Sequence, residues 1–406
     1  MDAIVWEWID MSTRWLHVIA GIAWIGSSFY FVHLDSSIKQ RPGLPKGAGG
    51  EAWQVHGGGF YHMVKYLVAP ERKPEDLTWF KWEAYATWLS GMALLIVVYY
   101  FGAELYLIDT HVLDLPVWGA VLISLVGLTL GWLVYDALCK SPLGDNDIQL
   151  AAAGFVFLVA LAFAFTLIFS GRGAYMQMGA LVGTMMVANV FLVIIPNQKK
   201  VVADLIAGRE PDPKLGEQAK QRSMHNNYLT LPVLFVMISN HYPLAFASRW
   251  NWVIFALVLV VGAVIRHFYN ERHAGRPNPW WTWFVATAGM VLIIWLSTAA
   301  PLQEAEGTAK AAEATAAAAE IDVVEVENII LSRCSMCHMA EPVWEGIPVA
   351  PKGVMLDTTE RIRQHAGVIH LQAVLTHAMP PGNITEIEPA ERQLLAAWYA
   401  AGAPLE

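Results

Sequence analysis

Cys334-Ser335-Met336-Cys337-His338 is the stretch that decides how the end of this chain is read. Two thiols separated by two residues and followed at once by histidine form the attachment signature of a c-type haem. The thiols make thioethers to the porphyrin, and the imidazole falls where it ligates the iron. A bare C-x-x-C also suits a redox dithiol or half a zinc site. The chain has three cysteines, however, and Cys139 lies far upstream, so no second pair completes a zinc cage.

The flanking residues extend the reading. Met379-Pro380-Pro381-Gly382-Asn383 follows downstream, and a methionine beside prolines is the usual setting of a distal haem ligand. His365, His370 and His377 compete with Met379 for that role. Residues 324–332 read as a helix leading into the motif. Residues 389–399 read as a second helix with proline in its first turn and Leu394, Leu395 and Trp398 on one face. Residues 321–406 resemble a class I cytochrome c domain, with Cys334 and Cys337 holding haem c covalently and His338 and Met379 as its axial iron ligands.

The rest of the chain has a different character. Over all 406 residues, 56% are hydrophobic and 15% charged, and the mean hydropathy is +0.41. This is a membrane composition. The net charge of -9 offers nothing to nucleic acid, and no phosphate loop or nucleotide-binding glycine fingerprint occurs. Hydropathy predicts eight spans of about 20 residues each, near 14–34, 84–105, 116–138, 149–170, 174–195, 228–247, 250–270 and 280–299. The expected fold is all-α: an eight-span transmembrane bundle over residues 1–302, an Ala/Glu-rich linker over 303–320 and a small cytochrome c domain over 321–406. The first span is not expected to be a cleaved signal, because Asp2, Glu7 and Asp10 precede it and no small-x-small site follows. Basic residues crowd one set of loops, from Lys39 through Lys140 and Lys199 to Arg276. Only Arg14, Arg172 and Arg249 fall on the other side before the tail. The positive-inside rule then puts both termini outside. Haem c attachment demands the same compartment, so the expected location is a bacterial inner membrane with the C-terminal domain in the periplasm.

Ionisable groups inside spans are costly and point to function. His17 and His241 fall near the outer face and are candidate ligands for a b-type haem. His33, His225 and His267 fall near the inner face, with His56, His62 and His273 in the adjoining loops. Met224-His225-Asn226-Asn227-Tyr228 opens the sixth span, and His267, Asn270 and Glu271 share a helical face. The glycines of His56-Gly57-Gly58-Gly59-Phe60-Tyr61-His62 would permit close approach to a ligand. Against both functional readings stands a bland one, in which these histidines are hydrogen-bonded helix ends.

Eight spans, the segment Met224-His225-Asn226-Asn227-Tyr228-Leu229-Thr230-Leu231-Pro232-Val233-Leu234-Phe235 and the C-terminal domain together resemble the bacterial membrane-bound urate oxidases. The Trp15-Leu16-His17 and Trp24-Ile25-Gly26 text of the first span is a weaker likeness to several haem-binding or copper-related membrane families. The urate oxidase resemblance implies oxidation of urate to 5-hydroxyisourate with oxygen from water. Electrons would leave through the fused cytochrome to a terminal oxidase or a soluble cytochrome. Such chemistry needs donors for a planar anion, for which Asn226, Asn227, Arg266 and Arg272 are placed. It also needs a base, for which His225, His267 or Glu271 are placed. The alternatives are another membrane-bound dehydrogenase, a respiratory-complex subunit delivering electrons to cytochrome c, and a transporter with a redox sensor.

Overall fold

A computed structural model describes residues 3–71, 75–299, 322–344, 347 and 349–404. The linker expected over 303–320 lies outside the described residues. The protein is mostly helical. α1 (Ala3–Ser37) is followed by an antiparallel hairpin of β1 (Ala48–His56) and β2 (Gly59–Tyr66). Then come α2 (Trp82–Leu94), which runs on as a π-helical turn over Leu95–Tyr100, the short α3 (Ala103–Tyr106), α4 (Val117–Lys140) and α5 (Asp147–Thr166). α6 (Gly171–Ala188) passes through a π segment (Asn189–Ile194) into α7 (Ile195–Ile206). α8 (Pro213–Ser239), the short α9 (Pro243–Phe246), α10 (Asn251–His273) and α11 (Trp281–Ile294) complete the bundle.

Among the described residues, seven helical stretches are long and apolar enough to cross a membrane. They correspond to seven of the eight expected spans. The expected span at 228–247 differs. Its helix, α8, starts fifteen residues earlier and stops at Ser239, so His241 lies in the turn that follows. α8 is too polar to read as a span because it carries Arg222, Asn226, Asn227 and Thr230, all buried against its neighbours. α6 lies at the centre and is buried nearly all round, as an apolar helix without a polar face must be, with Met178, Leu181 and Met185 fully enclosed. The rim helices turn apolar side chains outward instead, as with Phe284 at 78% exposure, which is consistent with a lipid-facing surface.

The hairpin corrects the all-α expectation. Gly57 and Gly58 both have positive φ (59° and 78°) and form its two-residue turn, a conformation that glycine adopts without cost. These glycines therefore serve the strand reversal; nothing approaches them. His62 bonds Glu51 at 2.5 Å and stacks on Trp53 within the hairpin.

The C-terminal unit consists of α12 (Val323–Arg333), α13 (Thr359–Gln364), α14 (Ala366–Ile369) with a π turn continuing to Leu375, and α15 (Pro389–Ala400). α12 and α15 pack together around Ile329, Ile330, Leu395 and Trp398. Leu395 and Trp398 are buried as their helical face predicts, and Leu394 packs at the edge. A reciprocal Glu388–Glu391 capping box starts α15. The unit contacts the bundle at the end away from the hairpin, where α3 meets the turn after Met379. There Gly382, at φ 56°, faces the Ile108 and Glu104 carbonyls so closely that any Cβ would overlap them.

Candidate functional site

Two polar networks lie side by side at the hairpin end of the bundle. The first joins α4, the π segment and α8. The Tyr135 hydroxyl sits 2.7 Å from His225 Nδ1 and accepts from Asn189 Nδ2 at 3.0 Å. Asn189 Nδ2 also donates to Asn226 Oδ1, and Asn226 Nδ2 donates to the Met186 carbonyl. That carbonyl lies just upstream of the π segment, a distortion often found at functional sites. Arg222 donates to Asn189 Oδ1 at 3.2 Å and forms a 2.7 Å ion pair with Asp136. The network is closed: its buried cation has its own carboxylate, and His225 and Asn226 are both engaged.

The second network joins α1, α8 and α10. Gly262 lets the Pro232 ring of α8 lie against α10, where a Cβ would overlap it. This close approach brings Asn227 opposite Arg266 and Asn270. Arg266, 5% exposed, donates to Asn227 Oδ1 at 3.3 Å and Asn270 Oδ1 at 3.2 Å. Asn270 Nδ2 donates to the same Asn227 oxygen at 3.0 Å. The guanidinium lies 3.9 Å over the Phe29 ring, and among the described residues no carboxylate pairs with it. Phe29, Arg266, Tyr269 and His273 line a cavity of about 340 Å³. His33 meets His273 edge-on at 4.6 Å.

The sequence-predicted residues thus separate. His225 and Asn226 belong to the first network and Asn227 to the second. His267 turns toward the Tyr228 hydroxyl at 3.2 Å and toward Trp281. Glu271 leaves the shared face and pairs with Arg276 at 2.8 Å. Tyr135, Asn189 and the Asp136 partner of Arg222 were not anticipated; no periodicity in the sequence marks them. Phe29 and Tyr269 pass in the sequence as ordinary aromatic residues.

His17 and His241 occupy different surroundings. His17 Nδ1 donates to the Thr87 carbonyl at 3.0 Å, and its ring lies on Gly91 of α2. Anchoring one ring nitrogen to a carbonyl and leaving the other free is the usual preparation of a ligand histidine. His241, in the turn after α8, lines a second cavity of about 870 Å³ between the bundle and the C-terminal unit. Arg172 also borders it, stacked on Tyr106 and bonded to Asn240, as do Met379 and Arg392.

In the C-terminal unit Cys334 and Cys337 are free thiols directly after α12. Burial pushes the Cys334 thiol up to about 12, the opposite of what an attacking redox thiolate needs. His338 Nδ1 donates to the Val354 carbonyl at 2.9 Å, which leaves Nε2 as the ligating nitrogen. Arg392, buried, holds the methionine loop by donating to the Met379 and Ala373 carbonyls. These residues fit a covalently held haem. Of the competing histidines, His370 is stacked on Tyr399 at 4.2 Å. No cluster of three or more His, Cys, Asp or Glu able to hold a bare metal ion occurs among the described residues.

Residues 3–297 match the family model for the urate oxidase N-terminal domain. No curated protein and no solved structure matches the chain.

Proposed function

Because the chain belongs to the urate oxidase N-terminal family, we propose that it is a membrane-bound oxidoreductase converting urate to 5-hydroxyisourate and passing electrons through its own c-type haem rather than directly to O2. The joint occurrence that carries this reading is a urate oxidase family bundle with an anchored Cys334-Cys337-His338 unit seated on one end of it. The reaction balances as urate plus water giving 5-hydroxyisourate, two protons and two electrons. The oxygen of water becomes the new hydroxyl at the ring carbon. The haem, when bound, takes one electron at a time.

The residues of this chain do the remaining work. Cys334 and Cys337 tether the haem. His338, its Nδ1 fixed by the Val354 carbonyl, would offer Nε2 to the haem iron, and Met379, on a loop held by Arg392, would be the second ligand. His17, with Nδ1 anchored, is the bundle residue suited to hold a b-type haem. His241, which lines the cavity under the C-terminal unit, is the second candidate ligand for it. His267, 3.2 Å from the Tyr228 hydroxyl, is our candidate for the group that moves a proton. The location that follows is a bacterial inner membrane with the haem unit on the periplasmic side, where a terminal oxidase or soluble cytochrome collects the electrons.

The test is anaerobic addition of urate to the purified full-length protein while recording the haem spectrum. Reduction of a c-type band by urate is expected, and Cys334→Ala should abolish covalently bound pigment on a denaturing gel. Reduction by dithionite but not by urate would point instead to a membrane dehydrogenase for another small reductant.

A further inference from the structure

We infer that the cavity beside Arg266 is a binding site for a planar heterocyclic monoanion of the urate class, recognised by the Arg266 guanidinium. The inference rests on the proposed function only for the identity of the ligand; the site itself follows from unmet polar groups. A buried cation is expensive unless it is paired. Arg266 is nearly fully buried, and its described neighbours are two amide oxygens and the face of Phe29. Those oxygens take Nε and Nη2, and Nη1 has no hydrogen-bond partner among the described residues. A positive charge left in this state calls for an anion that the described residues do not provide.

Two further groups point the same way. Asn227 is fully buried, and its Nδ2 lacks any partner. The orientation of this amide is fixed, because its oxygen already accepts from both Arg266 and Asn270. The Nδ1 of His273, on the cavity wall, is also buried without a partner. Such orphans in a native fold call for a ligand or water to satisfy them.

The shape of the site selects the chemistry. A guanidinium edge matches two acceptor atoms on one edge of a planar anion. Phe29, Tyr269 and His273 line the cavity with aromatic rings, which suit a flat heterocycle. A cavity of about 340 Å³ lies at the lower end of the range for small-molecule pockets. A small round anion would meet the charge but leave the aromatic walls unused.

The experiment uses the full-length protein in detergent, fully reduced with dithionite, so that urate binds without being consumed. Equilibrium dialysis with urate should show saturable binding at one site per chain. Arg266→Met should weaken it ten-fold or more, the worth of one charge-assisted hydrogen bond, with helix content and haem content unchanged. Asn227→Asp, which keeps the shape but adds a negative charge, should weaken it as well. Arg276→Gln, outside the cavity, should leave it intact, and neutral caffeine should not compete. Unchanged affinity in both Arg266→Met and Asn227→Asp, or equal binding of caffeine, would overturn the site even if urate reduces the haem. Binding that depends on Arg266, without reduction of the oxidised protein by urate, would sustain the site and remove the oxidase reading.

Discussion

Arg222 and Arg266 are both almost fully buried, at 3% and 5% exposure, on packed helices at the same end of the bundle, yet they are held in opposite ways. Arg222 has a carboxylate at 2.7 Å and completes a network in which tyrosine, histidine and two asparagines are mutually satisfied. Among the described residues Arg266 meets only amides and an aromatic ring, with Asn227 Nδ2 and His273 Nδ1 nearby left unpartnered. The first arrangement spends its charge inside the protein and braces α4 against α8. The second keeps a charge available for something that enters. The contrast assigns a bracing role to one set of residues and recognition to the other, although both have the composition expected of a binding site.

The contrast can be broken by substitution. Arg222→Met leaves the half-buried Asp136 with Lys140, 2.6 Å away, as its ion-pair partner, and loss of the charge-assisted hydrogen bond to Arg222 costs about 2 kcal/mol. Thermal unfolding in detergent should show a clear drop, largely restored by adding Asp136→Leu. If Arg222→Met were as stable as the parent, the bracing role would fail. Tyr135→Phe removes one hydroxyl from the same network and should cost about 1 kcal/mol, read by the same melt. Arg266→Met is expected to fall within about 1 kcal/mol of the parent, since an uncompensated buried charge is replaced by an apolar chain, while urate binding collapses. A large loss of stability there would make the two arginines equivalent and erase the distinction. Arg276→Gln breaks only a partly exposed pair with Glu271 and should shift stability by less than about 0.5 kcal/mol.

Under the proposed function, electrons pass between two distant regions of the molecule. The Arg266 cavity and the C-terminal unit lie at opposite ends of the bundle. Arg266 is fifteen residues along α10 from Asn251, which borders the cavity under that unit, a separation of about 22 Å along the helix. His17 lies between these levels on α1. Gly382→Val should disturb the seat of the C-terminal unit on α3 without touching either arginine. Urate-dependent reduction of the haem should then slow while urate binding stays as it was.

The helices were largely legible from hydropathy. The stretches at 116–138 and 250–270 reappear as Val117–Lys140 and Asn251–His273, because an apolar run of spanning length has few alternatives to a helix. α8 was misplaced for a reason that also explains its role. Arg222, Asn226 and Thr230, which lower its hydropathy, find their partners in α4, α6 and α8 itself. The hairpin is not legible in the sequence, because glycine signals close approach and tight turns equally.

The sequence alone determined the elements whose information is local: apolar runs that must become helices, the C-x-x-C-H spacing, the proline-started final helix. Only the tertiary structure decided which polar residues form a site. His267, Asn270 and Glu271 share a face in sequence, yet they turn to Tyr228, Asn227 and Arg276 respectively. Asp136 stands 86 positions from Arg222, and nothing in either segment announces that one buried arginine finds a carboxylate and the other does not. Charge compensation is a property of neighbours in space, and helix periodicity reports only neighbours along one chain.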